Sequence, residues 1–216
     1  MPEKIGGMMP EKLPTQESVA EREAKITGKP PRIEPLSPEE FTPEVREFTD
    51  NLQRVVGLSP DGKVPEFLAT MLRYPALNSA HIGLALVLMK GTLSDRDREL
   101  IILRNAWLCQ APYEWNAHVV TAKRLTAMPS EDIERITIGS AAPEWDEDER
   151  AILKAVEELH ADAMISDATW ATLSKRLSYE QLLELPILVG QYCGVAFLQN
   201  SIRARLMPGD VGLTAR

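Results

Sequence analysis

Pro112 is the residue that most restricts how this chain can fold. It divides the stretch from Ser94 to Arg124, SDRDRELIILRNAWLCQAPYEWNAHVVTAKR, into two segments of helical periodicity with almost no connection between them. Before it, Leu100, Ile101, Leu103, Ala106 and Trp107 recur at helical spacing, which predicts a helix from about Ser94 to Cys109 with one face buried. Ser94 is placed to cap the first turn, with Asp97 reaching back to complete a capping box. Pro112 suits the first position of the following helix, where its missing N–H costs nothing and its φ is already set. Two helices joined so tightly can fold back on each other as a short-looped hairpin.

That hairpin concentrates chemistry. Glu114 and His118 are four residues apart, so a repeat of ~3.6 residues per turn stacks them on one face. Glu99, on the preceding helix, reaches the same point if the hairpin closes. The resulting carboxylate–imidazole–carboxylate cluster can hold and pass a proton near neutral pH, because flanking acids favour the imidazolium. The same spacing also serves a plain surface ion pair. A divalent metal at these three groups lacks the second histidine common in such sites.

The remaining composition narrows the alternatives. Lys and Arg total 24 against 32 Asp and Glu, a net charge of −8, which argues against nucleic acid or an anionic membrane as partner. No apolar run long enough to span a bilayer and no secretory leader are evident, so a cytoplasmic address is expected. The two cysteines, Cys109 and Cys193, belong to separate predicted helices, read as small buried residues, and form no Cys/His cluster at ligand spacing, so no metal site is predicted.

Taken in order, residues 1–41 form a proline-rich arm, extended or partly disordered: six of the 16 prolines and no aromatic residue fall in the first 36 positions, with a short solvated helix at Glu17–Lys25. The main helical domain is expected over 42–207 and a tail over 208–216. Its first secure helix starts at Thr42-Pro43-Glu44, and Ser59-Pro60-Asp61-Gly62 turns the chain. The 75–90 segment is apolar nearly all round, which marks a buried helix carrying His81 as a core residue and closing on Gly91 in a left-handed conformation. Helices follow at 130–139, at 146–161 with His160 off the apolar stripe, at 167–177, and from Ser178 to beyond Leu198, where Pro186 should kink or split the last one. No stretch alternates like a strand, so the fold class is all-α.

The sequence resembles the carboxymuconolactone decarboxylase family, which includes the alkylhydroperoxidase-D-like proteins, over roughly 60 to 200. The residues that carry it are RDRELIILRNAWLCQAPYEWNAHVVTAKR, with support from VEELHADAMISDATWATL and LLELPILVGQYCGVAFLQN. The resemblance implies a compact AhpD-like helical domain and assembly into trimers or hexamers. In the peroxidase branch a glutamate is followed by C-x-x-C-x-x-x-H; aligned on His118, Glu99 matches the glutamate, but Ala111 and Glu114 stand at the two cysteine positions. Cys109 lies two residues before the first of them. A thiol–disulfide cycle therefore lacks its pair, and the resemblance points to the decarboxylase side: a lyase or isomerase needing no cofactor, with Glu99, Glu114 and His118 catalytic and Trp107, Tyr113, Trp115, Arg96 and Cys109 binding substrate. The expected substrate is a small carboxylated, cyclic or lactone-type metabolite whose anion meets Arg96, Arg104 or Arg124. A peroxidase-like enzyme using Cys109, or a catalytically silent oligomeric binding protein, is the alternative.

Overall fold

A computed structural model describes residues 16–56 and 64–216; the side chains of 16–18, 55 and 56, the first part of the arm and the expected turn at Ser59-Pro60-Asp61-Gly62 lie outside the described residues. The described chain is all-α, with α1 (Gln16–Ile26), α2 (Pro43–Val56), α3 (Glu66–Met71), α4 (Pro75–Met89), α5 (Asp95–Leu108), α6 (Pro112–Thr126), α7 (Ser130–Ile138), α8 (Glu147–Asp162), α9 (Asp167–Leu173) and α10 (Tyr179–Ile202). Short 3-10 turns occupy Pro38–Glu40 and Gly212–Thr214.

The centre of the fold is α5, which packs against α6, α7, α8 and α10. The sequence predicts one buried face, but every residue from Asp97 to Trp107 is buried. A helix carrying so many charges can be enclosed only when each finds a partner. Asp97 accepts both guanidinium arms of Arg176 at 2.8 and 3.1 Å, so its carboxylate does not close a capping box; Ser94 alone caps, accepting from the Asp97 N–H at 3.0 Å. Arg98 donates to Leu93 O and pairs with Asp95, while Arg104 donates to Ile136 O and Thr137 O and pairs with Glu157 at 2.8 Å.

The opposite correction applies to α4. Apolar composition predicts burial, yet only Asn78 and Leu88 are buried, while Leu77, Leu84, Val87 and Met89 are exposed. Gly91 is not left-handed; it clears space for the Glu184 carboxylate, which a Cβ there would strike. That carboxylate accepts from the Thr92 and Leu93 N–H groups, pinning the α4–α5 turn to α10.

The last helix is unbroken through Pro186, where packing of Leu185, Leu188 and Val189 offsets a lost hydrogen bond. Contrary to the expected lack of such a run, α10 is long and apolar enough to cross a membrane by length and composition, with mean hydropathy 1.4. Its polar side chains Glu184 and Gln199 nevertheless bind groups of this domain, and its inner face forms part of the core. The arm's α1 puts Val19 into that core, and Glu23 accepts from the Leu213 N–H, which ties α1 to the Gly212–Thr214 turn.

Candidate functional site

The α5–α6 hairpin closes, with the two helices packed against each other. Gln110, at φ 47°, and Ala111 make the reversal, and Pro112 occupies the first turn of α6. His118 Nδ1 lies 2.9 Å from Glu99 Oε2, and His118 Nε2 lies 3.3 Å from Glu114 Oε1. Both ring nitrogens are thus engaged by carboxylates from two helices. Gln199 of α10 donates to the second oxygen of Glu114 at 2.6 Å, and the edge of Tyr192 meets the imidazole ring at a centroid distance of 5.1 Å.

Burial is the largest single influence on His118 and pushes its pKa down. Attraction to Glu99 and hydrogen bonds to both carboxylates outweigh that burial and hold the imidazole at about 10. It is a cation at neutral pH. Tyr113 and Tyr192 are pushed upward, first by burial and then by the neighbouring Glu114 charge, so both remain neutral phenols.

Glu99 and His118 form part of the wall of a cavity of about 500 Å³ between α3, α4, α5, α6 and α10. Leu68, Ile82, Leu86 and Ile102 supply apolar lining, while Asn78, His81, Tyr113 and Arg124 add polar groups. Asn78 is 1% exposed, and neither its amide oxygen nor its amide nitrogen has a protein partner. His81 Nδ1 is 2.8 Å from Gln191 Nε2, and burial lowers its pKa. Arg124, among the described residues, makes no hydrogen bond or ion pair and is free to meet an anion at the rim. A larger hollow of about 680 Å³ near residues 34–38 offers less chemistry, since its Arg205 already pairs with Glu66 and Glu34.

Of the sequence-derived site residues, the structure brings Glu99, Glu114 and His118 together and puts Tyr113 on the cavity. Glu114 sits behind His118 rather than on the cavity wall. The other four lie elsewhere. Arg96 bridges Asp132 and Glu149 at 2.8 and 2.7 Å on the far side of α5. Trp107 and Trp115 meet in a tilted pair, ring centroids 5.0 Å apart, beneath the Arg216 guanidinium, and the Trp115 indole donates to Ala215 O, so both serve the packing of the C-terminal residues.

Cys109 points to a different cluster, with Cys193 and His160, where the three donor atoms lie within 4.8 Å of one another. Both cysteines are free. The Cys109 thiol and His160 draw the Cys193 thiol down in pKa, while Cys193 and burial push Cys109 up. The sequence hid this cluster because its members come from three helices far apart in the chain. Asn78, Tyr192 and Gln199 escape a sequence reading for the same reason, although a lone amide in the first turn of an apolar helix is a visible signal; His81, expected as a core residue, lines the cavity.

The comparisons with known proteins agree with this architecture. Residues 75–158 match the carboxymuconolactone decarboxylase family. Among solved structures, an uncharacterized peroxidase-related protein from Silicibacter sp. TM1040 superposes with a TM-score of 0.68 at 18% identity, covering 84% of this chain and 96% of that one. The alkylhydroperoxidase AhpD core of an uncharacterized peroxidase-related protein from Ralstonia eutropha JMP134 gives 0.66 at 17% identity, covering 81% and 93%. The debrominase Bmp8 in complex with 2,3,4-tribromopyrrole gives 0.65 at 16% identity, covering 82% and 91%. No curated protein matches the sequence. Residues 75–158 are thus similar to the carboxymuconolactone decarboxylase family, and the fold built around them is AhpD-like.

Proposed function

We propose that the protein is a lyase or isomerase that performs acid–base chemistry, without a cofactor, on a small cyclic or lactone-type carboxylic acid in a reducing cytoplasm. The observation that carries this reading is that the chain's two cysteines both lie off the cavity whose wall presents Glu99 and His118. At that wall a proton can be given or taken, but no thiolate is available to attack a peroxide.

In the decarboxylase form of the reaction, the bond between the ring carbon and the carboxylate breaks and CO2 leaves. The electron pair passes into the conjugated carbonyl, and the dienolate carbon then takes a proton. Arg124 meets the substrate anion, and the unpaired Asn78 amide meets a ring oxygen. The proton shared between His118 Nδ1 and Glu99 Oε2 is the one delivered, and solvent restores it. Glu114, fixed by Gln199, is a positioning residue that keeps the imidazole cationic and aimed. The peroxidase reading would have to use the separate Cys109–Cys193 pair.

The test is a mass-spectrometric screen of the full chain against small cyclic and lactone acids, alongside a peroxide-consumption assay. Loss of CO2 or isomerisation is expected. Glu99→Gln and His118→Gln should each lower the rate by ~10²–10⁴, the range for general acid–base catalysis. Glu114→Gln should move the pH optimum as well as slow the reaction. Normal turnover by a folded His118→Gln protein sinks the proposal, and peroxide consumption without carbon-acid turnover favours the redox alternative.

A further inference from the structure

The cluster of Cys109, His160 and Cys193 is outside the cavity and has no part in the acid–base reading. Cys109 ends α5, His160 lies in the last turn of α8, and Cys193 is in the middle of α10. Cys193 Sγ is 3.4 Å from His160 Nε2, and both reach Asn105 Oδ1, at 2.9 and 2.7 Å. Asn105 is fully buried, and its amide nitrogen has no partner. Cys109 and Cys193 are part-buried, while His160 is exposed, so the group opens to solvent on one side.

We propose that Cys109, Cys193 and His160 form a binding site for one zinc ion, with the fourth position taken by water or by Asn105 Oδ1. The geometry has the size a zinc ion needs. Tetrahedral bonds of about 2.3 Å to sulfur and about 2.0–2.1 Å to nitrogen place a sulfur and a nitrogen ligand about 3.5 Å apart. The observed 3.4 Å between Cys193 Sγ and His160 Nε2 matches this, and the third donor lies within 4.8 Å of both. Two thiolates and a neutral imidazole also leave the ion with no net charge, which suits a half-buried place. The softness of the sulfurs selects zinc over magnesium or calcium, which take oxygen. The hydrogen bonds through Asn105 hold two of the donors, Cys193 and His160, in position beforehand: when the ion enters, two thiol protons leave, and the amide is at hand as oxygen ligand or as donor to a thiolate.

The three ligands come from α5, α8 and α10, so an ion here would clamp the C-terminal ends of α5 and α8 to the middle of α10. That is a structural role, independent of the proton chemistry at His118. Its test uses the full chain, stripped of metal by a chelator under reducing conditions and titrated with Zn²⁺ against a chromophoric competitor, and separately with Co²⁺. One ion per chain is expected, and the cobalt form should show thiolate-to-metal charge-transfer absorption with the intense visible bands of a tetrahedral site. Loss of an outer hydrogen-bond partner typically weakens a site 10–100-fold, so Cys193→Ser and His160→Gln should each weaken binding by at least about 100-fold. His160 is exposed, so His160→Gln gives a readable variant even if Cys193→Ser does not fold. His118→Gln should bind zinc as the parent does, which separates failure of this proposal from failure of the proposed function. Absence of saturable binding by the reduced protein, a cobalt spectrum without charge-transfer bands, or binding that His160→Gln leaves intact would each overturn it.

Discussion

His118 keeps its proton in a place where burial alone would strip it. The consequence for stability follows from its raised pKa, about 10 against 6.5 for the free side chain. A cation stabilised in the folded state contributes in full below about 6.5, and that contribution fades as pH rises through about 10. His118→Gln leaves two carboxylates, 3% and 6% exposed at the side chain, facing each other without a cation. Removing one partner of such a buried group costs ~3–5 kcal/mol. The expected outcome, read by calorimetry, is a clear fall in Tm at pH 7 and a smaller gap between parent and variant at pH 10. A gap that does not change between those pH values would mean the imidazole is not held as a cation. Spacing made the three residues legible as a group, since two are a helical turn apart and the third lies across a short hairpin. It could not show that all three are enclosed, because the cover comes from Tyr192 and Gln199, more than seventy residues later in the chain.

At the scale of helices, α4 and α5 exchange the roles their compositions suggest. The periodicity of apolar residues located both within a residue or two, since capping and proline signals are local chemistry. Burial is not local. The charges of α5 are neutralised by Arg176, Glu157, His118 and backbone carbonyls from elements that no window of sequence contains. The apolar residues of α4 partly line the cavity and partly face outward. The 24-residue α10 shows the same divide: Leu185, Leu188 and Val189 point inward, while Leu183, Ile187, Gly190, Gly194 and Phe197 are exposed.

For the whole molecule, that exposed set on α10 is spaced as one helical stripe, with two glycines in its middle that allow a second helix to come close. Together with Leu77, Leu84 and Val87 of α4, it is more apolar surface than scattered single residues account for. We propose that a second copy of the chain covers it, as the trimers or hexamers implied by the family resemblance would require. Light scattering at micromolar concentration should give a multiple of the 24.1 kDa chain mass, and Ile187→Glu should shift it toward the monomer. A monomeric parent protein would refute this.

The enclosure of α5 also has a consequence in time. A helix surrounded on every side cannot open by fraying, so its amide hydrogens can reach water only when the packed helices around it part together. In native-state hydrogen exchange, the amides of Leu100 to Trp107 should be the last in the molecule to exchange, with a denaturant dependence equal to that of complete unfolding. Those of α4 should exchange early in dilute protein and later as concentration rises. Exchange of the α5 amides as fast as those of α4 would show that the centre of the fold breathes on its own, and that the proton held between Glu99 and His118 is open to solvent far more often than their burial implies.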